Sequence, residues 1–242
     1  MNKIKTISNS VIILLFYFIT SSFISKFELI VINNNYQEVL FLAFSQIFLF
    51  LIPTLYIIYS QSRDEIINNS YNNTIKDKFN SSIILPIKLN SILYILMGVI
   101  LLFLIQFTNF FTLEFTEKII PKNYYNTLFE LYSNSKIQTE KLIVTNNKYF
   151  VLSTFAFLPA FIEETFFRGY FLNNLNKHFG IIPSSVIVSL FFAALHFNPL
   201  FIIQYFCISL VLNYIYIKSG SLIIVILIHF VNNFAGIYHN LK

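Results

Sequence analysis

The chain has little of what a secreted domain or a soluble enzyme is built on. Its 242 residues include one cysteine, Cys207, which excludes an intrachain disulfide and any zinc knuckle of paired cysteines. Midway along an apolar stretch, that thiol reads as a packing residue. Charged residues make up only 11% of the sequence. The lysines and arginines are scattered through polar segments and form no run interleaved with aromatics, so the net charge of +5 is no signal for nucleic acid. The chain has no phosphate-binding loop, no nucleophile elbow and no paired catalytic cysteine, which sets aside ATPase, kinase and serine-hydrolase readings. An HExxH helix and internal repeats of solenoid or transporter type are missing as well.

What fills the sequence is hydrocarbon. At 56% hydrophobic and 19% aromatic residues, it has more apolar surface than one soluble core can hide. The fold class expected is all-α, a polytopic bundle of about seven transmembrane helices, each needing ~20 mostly apolar residues. The apolar stretches lie near 8–25, 38–60, 90–112, 149–172, 182–197, 199–217 and 221–238. The first reads as a retained anchor rather than a cleaved signal peptide, because Thr20-Ser21-Ser22 is a poor cleavage site. Pro199 marks a tight break, so the fifth and sixth stretches can form a tilted or re-entrant pair. Two segments rich in Asn, Ser, Lys and Glu, 61–89 and 113–148, read as loops with a short interfacial helix each.

These segments divide the chain into N-terminal membrane helices and polar loops, 1–147, and a C-terminal core, 148–242, that holds all four histidines. With a cytoplasmic N-terminus, Lys3, Lys5, Arg63, Lys76, Lys78, Lys88, Lys177 and Lys218 all fall inside, the orientation that the positive-inside rule prefers. The Asn-, Ile-, Lys- and Phe-rich composition suggests a bacterial plasma membrane.

Ionisable groups at membrane depth mark a polar site between helices. Glu164 and Arg168 are spaced i, i+4 with the acid first, the better order for an ion pair on one helix face. Glu163 points about 100° away, which leaves the more desolvated carboxylate for general-base work. Pro159 removes a backbone donor and frees the Phe155 carbonyl, so a kink is expected just before the acidic pair. Against this stands a plainer reading, a charge cluster snorkelling at a helix end. His196 closes FFAALHF with Phe192 one turn earlier, although a histidine beside Asn198-Pro199 is commonly interfacial. His229 lies well inside LIIVILIHFVNNFAG with Asn233 at i+4, so the two can aim hydrogen-bond donors at one point or simply join helices. His178 and His239 have no comparable partners and read as surface residues.

In order, EETFFRG at 163–169, Phe192-x-x-x-His196 and His229-x-x-x-Asn233 resemble the CAAX protease and bacteriocin-processing (Abi) family of intramembrane proteases. The resemblance covers about residues 148–238. It implies that Glu163 and His196 orient and deprotonate a water for attack on a peptide carbonyl. His229 and Asn233 would then stabilise the oxyanion, and Glu164 and Arg168 would support the site. It leaves the metal question open. Glu163, His196 and His229 can form a two-His, one-carboxylate zinc site, whereas a metal-free glutamate protease uses the same residues and is the preferred reading. The expected partners are membrane lipids and a hydrophobic or lipid-modified peptide. Two other classes remain: a non-catalytic bacteriocin-immunity or scaffold protein of the same fold, and a small transporter whose buried Glu and His residues relay ions.

Overall fold

The computed structural model describes residues 35–56, 58–59 and 89–241. The apolar stretch 8–25, the polar segment 61–88 and the basic residues within them lie outside the described residues. Among the described residues eight helices follow one another: α1 Asn35–Tyr56, α2 Leu89–Phe107, α3 Asn109–Ile119, α4 Lys122–Thr145, α5 Lys148–Phe179, α6 Ile181–Leu195, α7 Ile202–Ser219 and α8 Leu222–Ile237. No strand occurs among the described residues, so the all-α class expected from composition is the fold observed.

The helices of this bundle differ in length. Among the described residues, three helices are long and apolar enough to cross a membrane: α1, α5, and α7 extended back to Pro199. A fourth span arises if α2 and α3, bent by 47° at their junction, are taken as one. The helices α6 and α8, at 15 and 16 residues, run only about 22 and 24 Å at ~1.5 Å per residue. Large side chains on the outer face of α2, among them Leu93, Ile100, Phe103 and Leu104, are more than half exposed, as suits contact with lipid.

Residues 113–148 are not a loop with a short helix. They hold the end of α3 and the whole of α4, 24 residues long. Asn and Ser are weak helix formers, so the segment looks irregular in sequence. It is held by contacts made elsewhere. Gln138 donates to the Glu38 carboxylate at 3.1 Å, Asn35 donates to Thr145 Oγ1 at 3.0 Å, and Tyr132 packs on Phe201 with ring centroids 5.1 Å apart. Leu142 and Ile143 are buried at its C-terminal end.

The site is carried on α5, whose start is capped by Asn147, the side chain accepting from the N–H groups of Tyr149 and Phe150. Where a kink is expected, just before the acidic pair, the helix is irregular. Over Ser153–Phe157 the helix widens to π-helical turns, the Leu158 N–H reaching back to Ser153, and the chain continues as one 32-residue helix. A second π-helical stretch, Thr165–Leu172, follows the acidic pair and carries Arg168. Such widened turns leave carbonyls poorly served, and Asn173 serves two of them, donating to the Arg168 and Gly169 carbonyls at 3.0 and 3.1 Å.

After Gly180, which takes a positive φ of 79° to end α5, α6 and α7 form a hairpin. Its turn passes through Phe197, the non-glycine residue with positive φ (48°) among those described, and through a 3₁₀ turn at Pro199–Phe201. The hairpin, α5 and α8 enclose an aromatic-rich core in which Phe166, Phe167, Phe171 and Phe192 are almost fully buried. Helix α1 joins it through Phe50, whose ring lies 4.9 Å from that of Phe166.

Candidate active site

The polar centre of the bundle is built outward from Arg168, which is completely buried. Its guanidinium makes four hydrogen bonds: Nη1 to Glu164 Oε1 at 2.9 Å, Nε to Asn213 Oδ1 at 2.9 Å, and Nη2 to the Ser209 carbonyl and hydroxyl at 2.9 and 2.8 Å. Its carbon lies 5.1 Å from the centroid of Phe192, a cation–π distance. Asn213 extends the network, its amide donating to the Ser185 carbonyl and to Ser189 Oγ, both at 3.1 Å. A charge in an apolar interior is tolerated when it is paired and its donors are satisfied, and this arrangement supplies both. The plainer reading of a charge cluster snorkelling at a helix end does not hold for Arg168 and Glu164, which are both fully enclosed.

Glu164 is the junction. The same oxygen that accepts from Arg168 accepts from His229 Nδ1 at 2.7 Å, across 65 residues of sequence. His229 is nearly fully buried on α8. With Nδ1 committed to the carboxylate, Nε2 is the ring nitrogen left for a ligand. The i, i+4 pairing of Glu164 with Arg168 was legible from spacing, whereas the bond to His229 was not.

Glu163 faces elsewhere. It is half-buried, its Oε2 is enclosed without a hydrogen-bond partner, and it lines a cavity of about 90 Å³ together with His196, Gln46, Phe50, Pro159 and Phe167. Oε2 of Glu164 is also unpartnered, but its Oε1 is doubly hydrogen-bonded. His196 closes α6. Its Nδ1 lies 2.7 Å from the Phe192 carbonyl, which accepts the Nδ1 proton and assigns the lone pair to Nε2. The ring is clamped between Tyr205, stacked at 4.0 Å, and Phe192, at 4.6 Å. Glu163 and His196 are thus brought together as lining residues of one cavity.

His229 does not line that cavity. Phe192 stands between the two imidazoles, its ring centroid 4.6 Å from that of His196 and 6.0 Å from that of His229. Asn233 is half-buried one turn beyond His229. It is the neighbouring Asn232 that is tied to the bundle, accepting from Gln106 of α2 at 2.7 Å. His178 lies at the end of α5 rather than in a loop, half-buried, with Nε2 unpartnered. Among the described residues, no three His, Cys, Asp or Glu side chains stand close enough together to hold a metal ion. Glu163, His196 and His229 therefore do not form a three-ligand zinc site in this arrangement.

Sequence reasoning missed Gln46, Ser189, Tyr205, Ser209 and Asn213. All five are polar residues or tyrosines inside apolar stretches, and that placement was the signal: a polar side chain at membrane depth is costly unless it is used.

Residues 145–235 match the family model described as Rce1-like, type II CAAX prenyl endopeptidase. No curated protein and no solved structure matches the chain. With its apolar spans the chain is an integral membrane protein, and its residues 145–235 are similar to the type II CAAX prenyl endopeptidase family.

Proposed function

We propose that this protein is an intramembrane endopeptidase that hydrolyses a peptide bond in a hydrophobic or lipid-modified, membrane-associated peptide. We place it in a bacterial plasma membrane with the N-terminus cytoplasmic. The observation that carries the reading is the shared cavity of Glu163 and His196, the first with an unpartnered carboxylate oxygen and the second with Nδ1 held at the Phe192 carbonyl, which leaves Nε2.

In this reading a water in the cavity donates one proton to Glu163 and is held at its other by His196 Nε2. The water oxygen attacks the peptide carbonyl carbon, Glu163 takes the proton, and the carbonyl oxygen becomes an oxyanion. His229 and Asn233, one turn apart on α8, are assigned to that oxyanion. Glu164 orients the His229 ring and provides its counter-charge, and Arg168 holds Glu164 in place. Collapse breaks the C–N bond, and the proton on Glu163 passes to the departing amine. A dry, pre-arranged donor is worth about 2.7–4 kcal/mol to such a step. No step is routed through a metal, because the residues do not close into a ligand set.

The test is cleavage of a panel of fluorogenic hydrophobic and lipid-modified peptides by purified protein in detergent, with Glu163→Ala and His229→Ala beside wild type and each run with and without chelator. Cleavage by wild type alone, unaffected by chelator, is expected. Activity that survives Glu163→Ala would remove the proposed base, and irreversible loss to chelator would restore the metal.

A further inference from the structure

The cavity of Glu163 and His196 is not made by the family-matched region alone. One wall comes from α1, where Gln46 turns its side-chain oxygen inward; Oε1 is buried and has no hydrogen-bond partner. Gln46 opens a π-helical stretch, Gln46–Leu51, and its position relative to α5 is fixed by Phe50, packed on Phe166 and Phe167 at 4.9 and 6.5 Å. A buried amide oxygen left unsatisfied is costly, so an uncharged but polar residue in an otherwise apolar stretch calls for a donor.

Counting protons identifies that donor. The residues that line the cavity carry three acceptors: Glu163 Oε2, His196 Nε2 and Gln46 Oε1. A water has two protons, and in the proposed reaction Glu163 and His196 take both. The third acceptor is left for a group that enters with the substrate, and the donor every peptide carries is its main-chain N–H. A side-chain carboxamide suits a peptide group in either orientation, since it offers one acceptor and two donors as a backbone amide pair does.

We propose that Gln46 is a substrate-binding residue which accepts a hydrogen bond from a main-chain N–H of the peptide beside the scissile bond, so that α1 helps to select an extended backbone with a free N–H there. This inference rests on the protease reading of the same cavity. It predicts that proline, which lacks the N–H, is rejected at one position near the cut.

The experiment compares wild type with Gln46→Met, which conserves volume and removes the amide, on the best-cleaved peptide of the panel and on a set of its single N-methyl derivatives. In Gln46→Met, KM rises about tenfold with kcat unchanged, the worth of one neutral hydrogen bond held equally in ground and transition states. In wild type, N-methylation at one residue raises KM by a similar factor; in Gln46→Met the same methylation has no further effect. Unchanged KM in a folded Gln46→Met, or equal methylation penalties in both enzymes, overturns the proposal, as does a fall in kcat at constant KM. If Gln46→Met does not fold, Gln46→Asn, which keeps the amide but withdraws it by one carbon, gives the same reading. Should wild type cleave no peptide, the protease reading fails separately, and binding of the labelled peptides to Glu163→Gln, with and without Gln46→Met, still decides the assignment: a tenfold weaker Kd supports it and an equal Kd ends it.

Discussion

His229 donates its Nδ1 proton to Oε1 of Glu164 at 2.7 Å, joining α8 to α5 through one buried carboxylate oxygen. The second glutamate of the acidic pair is therefore a positioning residue for a histidine on another helix as well as the counter-ion of Arg168. Glu164→Gln keeps the side-chain shape but can serve the imidazole only as a neutral acceptor, and it also leaves Arg168 without its counter-charge, so rates are compared per folded protein. We expect cleavage to fall about 10²-fold, within the range for loss of an oxyanion donor, and His229→Ala in that background to add much less than it does alone. Initial rates for the two single variants and the double variant measure this.

Glu163→Gln is expected to separate activity from stability. General-base removal costs about 10²–10⁴ in rate. The carboxylate has an enclosed oxygen with no protein partner, so neutralising it leaves the melting temperature unchanged or raises it. A thermal melt in detergent beside the cleavage assay shows both; a large loss of stability would mean that Glu163 holds the bundle together.

Arg168 and Glu164 should behave oppositely. Removing one partner of a buried ion pair strands the other, at about 3–5 kcal/mol. Arg168→Met alone is expected to unfold the protein or to lower its melting temperature sharply. Glu164→Gln combined with Arg168→Met leaves no orphaned charge and recovers part of that loss. Thermal unfolding of the two singles and the double gives the coupling, and strict additivity would contradict the pairing.

The contact between α2 and α8 depends on Gly98. A Cβ there would meet Ile228 Cδ1 at 2.5 Å and its Cγ1 and Cγ2 at 3.2 Å, and Ile228 is wholly buried. Gly98→Ala is expected to cost about 1–3 kcal/mol as overpacking, and Ile228→Val in the same chain to return much of it. Chemical or thermal unfolding of both variants checks the rescue.

Tyr205 clamps His196 by its ring face. Tyr205→Phe keeps the stack, whereas Tyr205→Leu loses an aromatic contact of about 0.5–1.5 kcal/mol and frees the imidazole to turn. We expect a several-fold fall in kcat for Tyr205→Leu and a near-normal value for Tyr205→Phe. A matching loss in both would point to the hydroxyl instead.

How much of this was legible in the sequence depends on range. The acid-first i, i+4 spacing of Glu164 and Arg168 is local, and one helix turn fixes it. The separate direction of Glu163 follows from the same geometry. What joins Glu164 to His229, or Arg168 to Ser209 and Asn213, is the packing of four helices, and no spacing within one helix encodes it. Helix α4 escaped notice for a related reason: its Asn- and Ser-rich composition favours turns, and its order depends on contacts with α1 and with the turn before α7. The apolar character of α6 and α8 was plain in the sequence, but where each helix stops is set by the turns that flank it, at 15 and 16 residues.

That shortness bears on supply. Hydrolysis consumes a water for every bond cut, and the hydrocarbon core, ~30 Å thick, holds almost none. Beside helices of about 22 and 24 Å the lipid must thin by several ångströms or the headgroups must dip inward. Because α6 ends at His196, that dip brings the wet edge of the membrane toward the cavity mouth. For the proposed hydrolysis, the two undersized helices would then give the site a hydration path without a pore, and thicker bilayers are expected to slow turnover by starving it of its second reactant.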